Sequence, residues 1–282
     1  MRSLLLSLII APIAAADIFS IGNSLTIDTF PTGYADAWNL CASQNLQSIN
    51  DNPNGSQCIA GSTPWNVAFA STSFDVVTVQ PYLGTTLTQD FGIISNWVDM
   101  QPNAVWVIHT GWAGHADHAT DYHAADSTDM GHRPQYFNDL KSLLEAEHPT
   151  VEFRINPAAQ AMELISSDIA AGVAPIDGLS ELYRDSLHVT TAEGRYLHHE
   201  LMRQTIGLGS LNASFGVDAA TRDYFDQVIA RAAIPEPSPC LTLTGLFLGI
   251  GLARRAKVLY GLSLPSHYPS RRRSWSRKPW EV

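Results

Sequence analysis

Four short apolar runs recur along the chain, each closed by a small polar residue or a proline: "DIFSIGNS", "FDVVTVQP", "NAVWVIHTGW" and "VEFRINPA". Their β-branched and aromatic residues follow one another almost without polar alternation, the pattern of strands buried on both faces. Between and after them lie stretches of helical spacing. "QDFGIISNWVDMQ" sets Phe91, Ile94 and Val98 on one face, and "RPQYFNDLKSLLEAEHP" is amphipathic. "TAEGRYLHHELMRQTIG" reads as a closing helix capped by Thr190 or Thr191. "TGYADAWNLCASQ" also reads as a helix, with Tyr34, Ala37, Trp38 and Cys41 at helical spacing. Such alternation predicts a three-layer α/β fold, with a central parallel sheet of about five strands and helices on both faces. Ligands of such sheets bind beyond the carboxyl ends of the strands. Ser24, Gln80 and Thr110 each follow a strand and are expected on that rim, while residues 111–132 break the alternation as a polar loop.

The two ends do not share this pattern. Arg2 and the apolar run after it lead to Ala14-Ala15-Ala16, which reads as a secretory signal peptide over 1–16, cleaved before Asp17. Near the other end, Pro235-Glu236-Pro237 precedes the apolar "CLTLTGLFLGIGLA" and then Arg254-Arg255. A segment of that length is at the short limit for spanning a bilayer, and a buried C-terminal helix is the alternative. The order of the three elements over 234–256 is similar to the PEP-CTERM sorting signal, which implies export and transient membrane contact through the apolar segment. The signal normally ends a chain soon after its arginines. Here a basic stretch, 257–282, follows and reads as disordered. The remaining domain is 17–233.

Charge narrows the partners. The whole chain carries 17 Lys and Arg against 27 Asp and Glu, a net −10. Between 17 and 233 only eight basic residues face 25 acidic ones, a formal −17. Such a surface repels phosphate backbones and anionic lipid, so nucleic acid is excluded as a partner and neutral sugars or esters suit it better. Cys41 and Cys58 are the two cysteines of this domain, read as a bridge in an oxidising compartment, with free thiols as the alternative.

A serine at the tip of "SIGNSLT" raises the question of nucleophilic chemistry, because Ser24 ends a strand on a tight turn. A serine hydroxyl needs a base, and the base a carboxylate to fix its tautomer. "YRDSLHVTTAEG" supplies both, with Asp185 three residues before His188 on a loop that precedes a helix. The other reading makes Ser24 a helix cap, Asp185 an Asx turn and His188 a packed imidazole.

A glycine-polar-serine turn after the first strand, with Asp-x-x-His near the end of the domain, resembles the SGNH (GDSL-type) hydrolase superfamily over about residues 18–206. The resemblance implies a flavodoxin-like sheet and a secreted esterase with Ser24 as nucleophile, His188 as base and Asp185 as its orienting partner. It also implies an oxyanion hole from the Ser24 N–H, the Gly61 N–H of "IAGSTPW" and a side-chain amide after the third strand. The usual Gly-x-Asn-Asp is replaced there by "VVTVQPY", so Gln80 takes the amide's place, one methylene further out. Asn23 stands where an aspartate is commoner.

These readings lead to an exported serine esterase acting on acyl, preferably acetyl, esters of carbohydrates or on small esters. It requires no cofactor and no metal. Its place is the periplasm, outer surface or extracellular matrix of a Gram-negative-type bacterium, and its partners are the ester substrate and the export and sorting machinery. The preference for sugar acetyl groups rests on the association of PEP-CTERM systems with exopolysaccharide. Two rivals stand beside it. One is a non-catalytic glycan-binding surface protein on the same fold. The other is a metal-dependent hydrolase on the loop 109–132, where His109, His115, His118, His123 and His132 lie among Asp117, Asp121, Asp126 and Asp129. Trp65, Trp106 and Trp112 lend weak support to a carbohydrate ligand if they reach the rim.

Overall fold

The computed structural model describes residues 16–210 and 214–233, all within a unit that ends at Pro235. Residues 1–15 of the stretch read as a signal peptide over 1–16, the segment 234–256 read as a sorting signal, Cys240 and the tail 257–282 lie outside the described residues. Among those described, no helix is long and apolar enough to cross a membrane.

The chain starts with β1 (Ile18–Gly22), runs through the short helix α1 (Ser24–Asp28) and a 3₁₀ turn at Pro31–Gly33, and returns as β2 (Ala37–Leu40). Helices α2 (Leu46–Asp51) and α3 (Trp65–Ser71) lead to β3 (Val76–Val79). Then follow α4 (Leu87–Met100), β4 (Val105–His109), α5 (His118–Tyr122), α6 (Pro134–Glu147), β5 (Phe153–Asn156) and α7 (Ala158–Ala170). A 3₁₀ turn at Leu179–Leu182 precedes α8 (Glu193–Ile206), and α9 (Ala219–Ala232) ends the described chain. All four strand pairings are parallel, in the order β2-β1-β3-β4-β5. With helices on both faces this is a three-layer α/β fold, as the alternation of the sequence predicts, and its strand order is flavodoxin-like, as the resemblance implies.

Strand residues alternate between two cores. Phe19, Ile21, Val77, Val79, Trp106 and Ile108 pack with Ile94, Trp97 and Val98 of α4 and with Tyr136 and Phe137 of α6. On the other face Ile18, Val76 and Val107 meet Met202 and Ile206 of α8. A second apolar cluster joins Leu25, Trp112, Met162, Leu197, Leu201 and Phe225. Each aliphatic side chain removed from water contributes about 1.5–3 kcal/mol, so the paired cores supply most of the drive that closes the sheet.

The stretch read as a helix, "TGYADAWNLCASQ", holds no α-helix: it leaves a 3₁₀ turn, carries the edge strand β2 at Ala37–Leu40 and ends in a turn. Its apolar residues satisfy helical spacing, but the native partner is β1, with Ser20 opposite Trp38 and Gly22 opposite Leu40. Asn39 explains why a polar residue sits buried there: its side chain donates to the Pro53 carbonyl and accepts from the Trp65 N–H. Cys41 and Cys58 form a disulfide that closes the intervening loop against this strand. The N-cap of α8 is Ala192 rather than Thr190 or Thr191, although the Thr190 hydroxyl accepts the Gly194 N–H at 2.9 Å from two residues upstream. Trp106 and Trp112 are fully buried and Trp65 packs against the first core, so none of the three supports a sugar platform.

One core carboxyl carries a pH signature. Asp90 in α4 is buried, accepts the Tyr136 hydroxyl at 2.6 Å and the Thr85 hydroxyl at 3.0 Å, and has its pKa pushed up to about 6 by burial. A raised pKa means the native state holds this proton more tightly than the unfolded chain. Its stabilising contribution is complete below about pH 4 and is lost as pH rises through about 6. Asp90→Asn keeps an acceptor without the charge. Urea unfolding of both proteins at pH 4 and 7.5 is therefore expected to show the balance moving toward the variant at the higher pH, by on the order of 3 kcal/mol. A gap that stays the same at both values contradicts this reading.

Candidate functional site

The strand order changes direction between β1 and β3, and in open parallel sheets that switch point is where a crevice forms. Ser24 follows β1 and Gln80 follows β3, so both stand at this switch point.

The turn at Ser24 is set by its neighbours. Asn23 caps α1, its side-chain oxygen accepting the Leu25 N–H at 3.0 Å while its amide donates to the Gln44 carbonyl at 3.1 Å. Only glycine fits at position 22, because a Cβ there would stand 2.1 Å from Thr26 Oγ1. That close approach lets the Thr26 hydroxyl donate to Gln80 Oε1 at 2.6 Å, with the Thr26 and Asn23 N–H groups donating to the same oxygen at 3.0 and 3.3 Å. Main-chain N–H groups can only donate, so the amide orientation is fixed: oxygen toward α1, nitrogen away. Gln80 Nε2 is buried without a hydrogen-bond partner among the described residues. It makes no hydrogen bond to Ser24 and lies instead toward Gly111. The Ser24 side chain is half-buried at the first position of α1.

His188 and Asp185 form a dyad on the loop before α8. His188 Nδ1 lies 3.0 and 3.1 Å from the two Asp185 oxygens, and Asp185 also accepts the Leu187 and His188 N–H groups at 2.9 and 2.8 Å. Those main-chain donors, chiefly, hold the Asp185 carboxyl down to about 2. A carboxylate only accepts, so Nδ1 carries the proton and Nε2 presents its lone pair, the tautomer a general base requires.

The two halves are joined by a residue that the sequence reading passed over. Asp28, the last residue of α1 and 2% exposed, accepts the Val189 N–H at 3.2 Å and pairs with Arg184 at 2.8 Å. Arg184 in turn donates to the Val189 carbonyl. Burial raises the Asp28 pKa, with the Arg184 guanidinium and nearby His188 acting the other way. Residues four apart in a helix share a face, so Asp28 fixes His188's neighbour one turn from Ser24. The indole of Trp112 adds a second anchor by donating to the Leu187 carbonyl at 2.9 Å. The available signal was an acidic residue at i+4 from Ser24 in an otherwise uncharged segment.

Gly61 is not brought to Ser24. Its segment runs along the outer edge of β2, held by Ile59 N–H to the Leu40 carbonyl and Thr63 N–H to the Trp38 carbonyl. A Cβ on Gly61 would meet only Trp38, at 3.9 Å. The edge strand and its disulfide loop, absent from the helical reading of this region, account for the displacement. Thr110 sits on the rim as expected, but its hydroxyl serves structure, accepting the Ala159 N–H at 3.0 Å.

The histidine-rich loop resolves into pairs. Glu163 of α7 meets His118 at 3.1 Å through one oxygen and His123 at 3.2 Å through the other, His132 meets Asp121 at 2.8 Å, and His109 meets Asn156 at 2.8 Å. Among the described residues no group of three or more His, Cys, Asp or Glu side chains is placed to hold a metal ion. His198 and His199 of α8 are buried, the former stacked on Trp112 with ring centroids 3.9 Å apart.

Fold and site together define a doubly wound α/β domain that carries a serine, an Asp–His dyad and a buried side-chain amide on the rim of its sheet. A solved structure of a DUF4886 family protein from Bacteroides uniformis is similar in fold, with a TM-score of 0.50 and 13% sequence identity over 77% of this chain and 94% of that one. No family model and no curated protein matches the chain.

Removal of the Asp28 carboxylate separates the roles of these parts. Asp28→Ala leaves the buried Val189 N–H without its acceptor and is expected to cost about 1–3 kcal/mol in chemical unfolding. In Asp28→Asn, which keeps one acceptor oxygen, the loss is expected to be smaller. Equal stability of all three proteins would show that the clamp does not hold the loop.

Proposed function

We propose that this chain is an exported serine esterase of the SGNH type, which removes small acyl groups, acetyl first among them, from carbohydrates or other neutral alcohols. The observation that carries this reading is the Val189–Asp28 hydrogen bond, which ties the residue after His188 to the five-residue helix that begins with Ser24. The strongly acidic composition of the domain supports a neutral substrate over a polyanion.

In the proposed reaction the Ser24 hydroxyl attacks the acyl carbonyl while its proton passes to His188 Nε2. Asp185, bonded to Nδ1, holds the ring and stabilises the imidazolium that forms. Charge moves onto the carbonyl oxygen, where the Ser24 N–H and the Gln80 amide are the donors assigned here. His188 then returns the proton to the departing alcohol, leaving the acyl group on Ser24. Water attacks that ester with His188 as base and releases the acid. Gly61 has no part in this scheme, so the oxyanion hole rests on two donors from the strand ends.

Hydrolysis of 4-nitrophenyl acetate by the full chain tests the proposal. Ser24→Ala is expected to lower kcat by at least about a thousand-fold, with chelator leaving the wild-type rate unchanged. Loss to chelator with an active Ser24→Ala protein would point to the metal hydrolase instead. No hydrolysis of any ester, together with retained glycan binding, would favour the non-catalytic surface protein.

A further inference from the structure

Two buried groups beside the site face an unexplained deficit of complementary kind. His132, 2% exposed, has Nδ1 at 2.8 Å from Asp121 Oδ2, and the same oxygen accepts the His132 main-chain N–H at 2.7 Å. The carboxylate fixes the proton on Nδ1 and leaves a lone pair on Nε2. That Nε2 is buried and has no hydrogen-bond partner among the described residues. Gln80 shows the opposite: its oxygen is fully engaged by α1, and its NH₂ donor is buried and unpartnered.

Both groups border Gly111. A Cβ placed on Gly111 would stand 3.3 Å from His132 Cδ2, the ring carbon bonded to Nε2, and 3.4 Å from Gln80 Nε2. Gly111 itself is in the left-handed region, at φ +61, which an L side chain rarely adopts. The backbone there is bare, and an acceptor and a donor gather against it. The Tyr82 ring packs its edge on the His132 imidazole at 6.4 Å between centroids and limits how far that ring can swing. Hydrogen bonds hold the Asp121 carboxyl below its usual range although burial opposes this, so the partner that sets the tautomer stays ionised.

We propose that His132, oriented by Asp121, is a positioning residue for Gln80: its Nε2 accepts from the Gln80 amide through one bridging water, which aims the second amide N–H at the reacting carbonyl oxygen. The water accepts from Gln80 and donates to His132, so each group gains the partner it lacks, at little loss against a direct bond. The inference rests on the esterase reading for its catalytic consequence, but the bridge itself does not. It gives the histidine-rich loop a role: through Asp121 and His132 it supports the donor that the first strand's turn cannot hold alone. The oxygen end of Gln80 has three partners, while its nitrogen end has this one.

The test uses the full chain. The Gln80 side-chain amide resonances, identified in the ¹H–¹⁵N spectrum by their loss in Gln80→Met, are expected to exchange slowly in the wild type. His132→Phe keeps the ring's bulk and removes the acceptor, and is expected to shift those resonances and speed their exchange. It should also lower kcat for 4-nitrophenyl acetate about ten-fold with little change in KM, a fraction of the ~10²–10³ lost with a whole oxyanion donor. His132→Gln, which restores an acceptor oxygen, is expected to recover part of both effects. If His132→Phe does not fold, Asp121→Asn provides the same readout, because loss of the carboxylate frees the tautomer. Amide resonances that stay in place in a folded His132→Phe or Asp121→Asn protein overturn the bridge. Absence of esterase activity in the wild type overturns the reaction reading, and the resonances still decide the bridge.

Discussion

The buried carboxylate of Asp28 joins two segments that the chain separates by about 160 residues. One of its oxygens holds the main chain beside His188, the other the Arg184 guanidinium that grips the same loop. Without that junction the loop that carries the Asp185–His188 dyad would lose its direct tie to the helix that Ser24 begins. A buried charge is costly unless paired and hydrogen-bonded, and here both conditions are met at the cheapest place, the end of a helix that already lies on the sheet's rim. The sheet supplies the rest. Because β1 and β3 are adjacent and parallel, their carboxyl ends open side by side and bring Asn23, Ser24 and Gln80 into one turn.

The same economy shows in Gln80. Its oxygen is tied down by three donors of the turn that presents Ser24, so that turn and the amide are held together. Gly22 is the enabling residue, since any side chain there would press on Thr26 and break the shortest of those bonds. The polar loop beyond β4 packs against this unit from the far side. Four of its imidazoles, His109, His118, His123 and His132, are spent on carboxylates and an amide. Burial pushes the His109 pKa down to about 4 and lowers that of His198, so this interior layer stays neutral beneath a strongly acidic exterior.

Much of this was legible in the sequence, for identifiable reasons. β1, β3 and β4 are buried on both faces, and unbroken β-branched and aromatic runs have few other uses; β5, at the other edge, keeps Phe153 in the core and was still marked by the proline that follows it. Asp185 and His188 could be paired because their partnership is local, three residues apart on one loop. β2 was misread because an edge strand is only half covered: Trp38 and Asn39 answer to tertiary partners, and the apolar residues that remain happen to match a helical period. Gly61 was misplaced for the same cause, since the path of its loop follows from β2 and the disulfide. Asp28 escaped notice because its one local mark, a lone acid at i+4 from Ser24, does not name partners that lie more than 150 positions away. Local pairings can be read from spacing, while long-range polar contacts become visible only once the chain is folded.

The proposed pairing of Ser24 with His188 is tested most directly by covalent labelling. After incubation of the full chain with a fluorophosphonate, peptide mass mapping is expected to find the phosphonyl adduct on the peptide containing Ser24, and to find it missing from the His188→Ala protein. An adduct on another residue, or equal labelling of Ser24 with and without His188, would contradict the account.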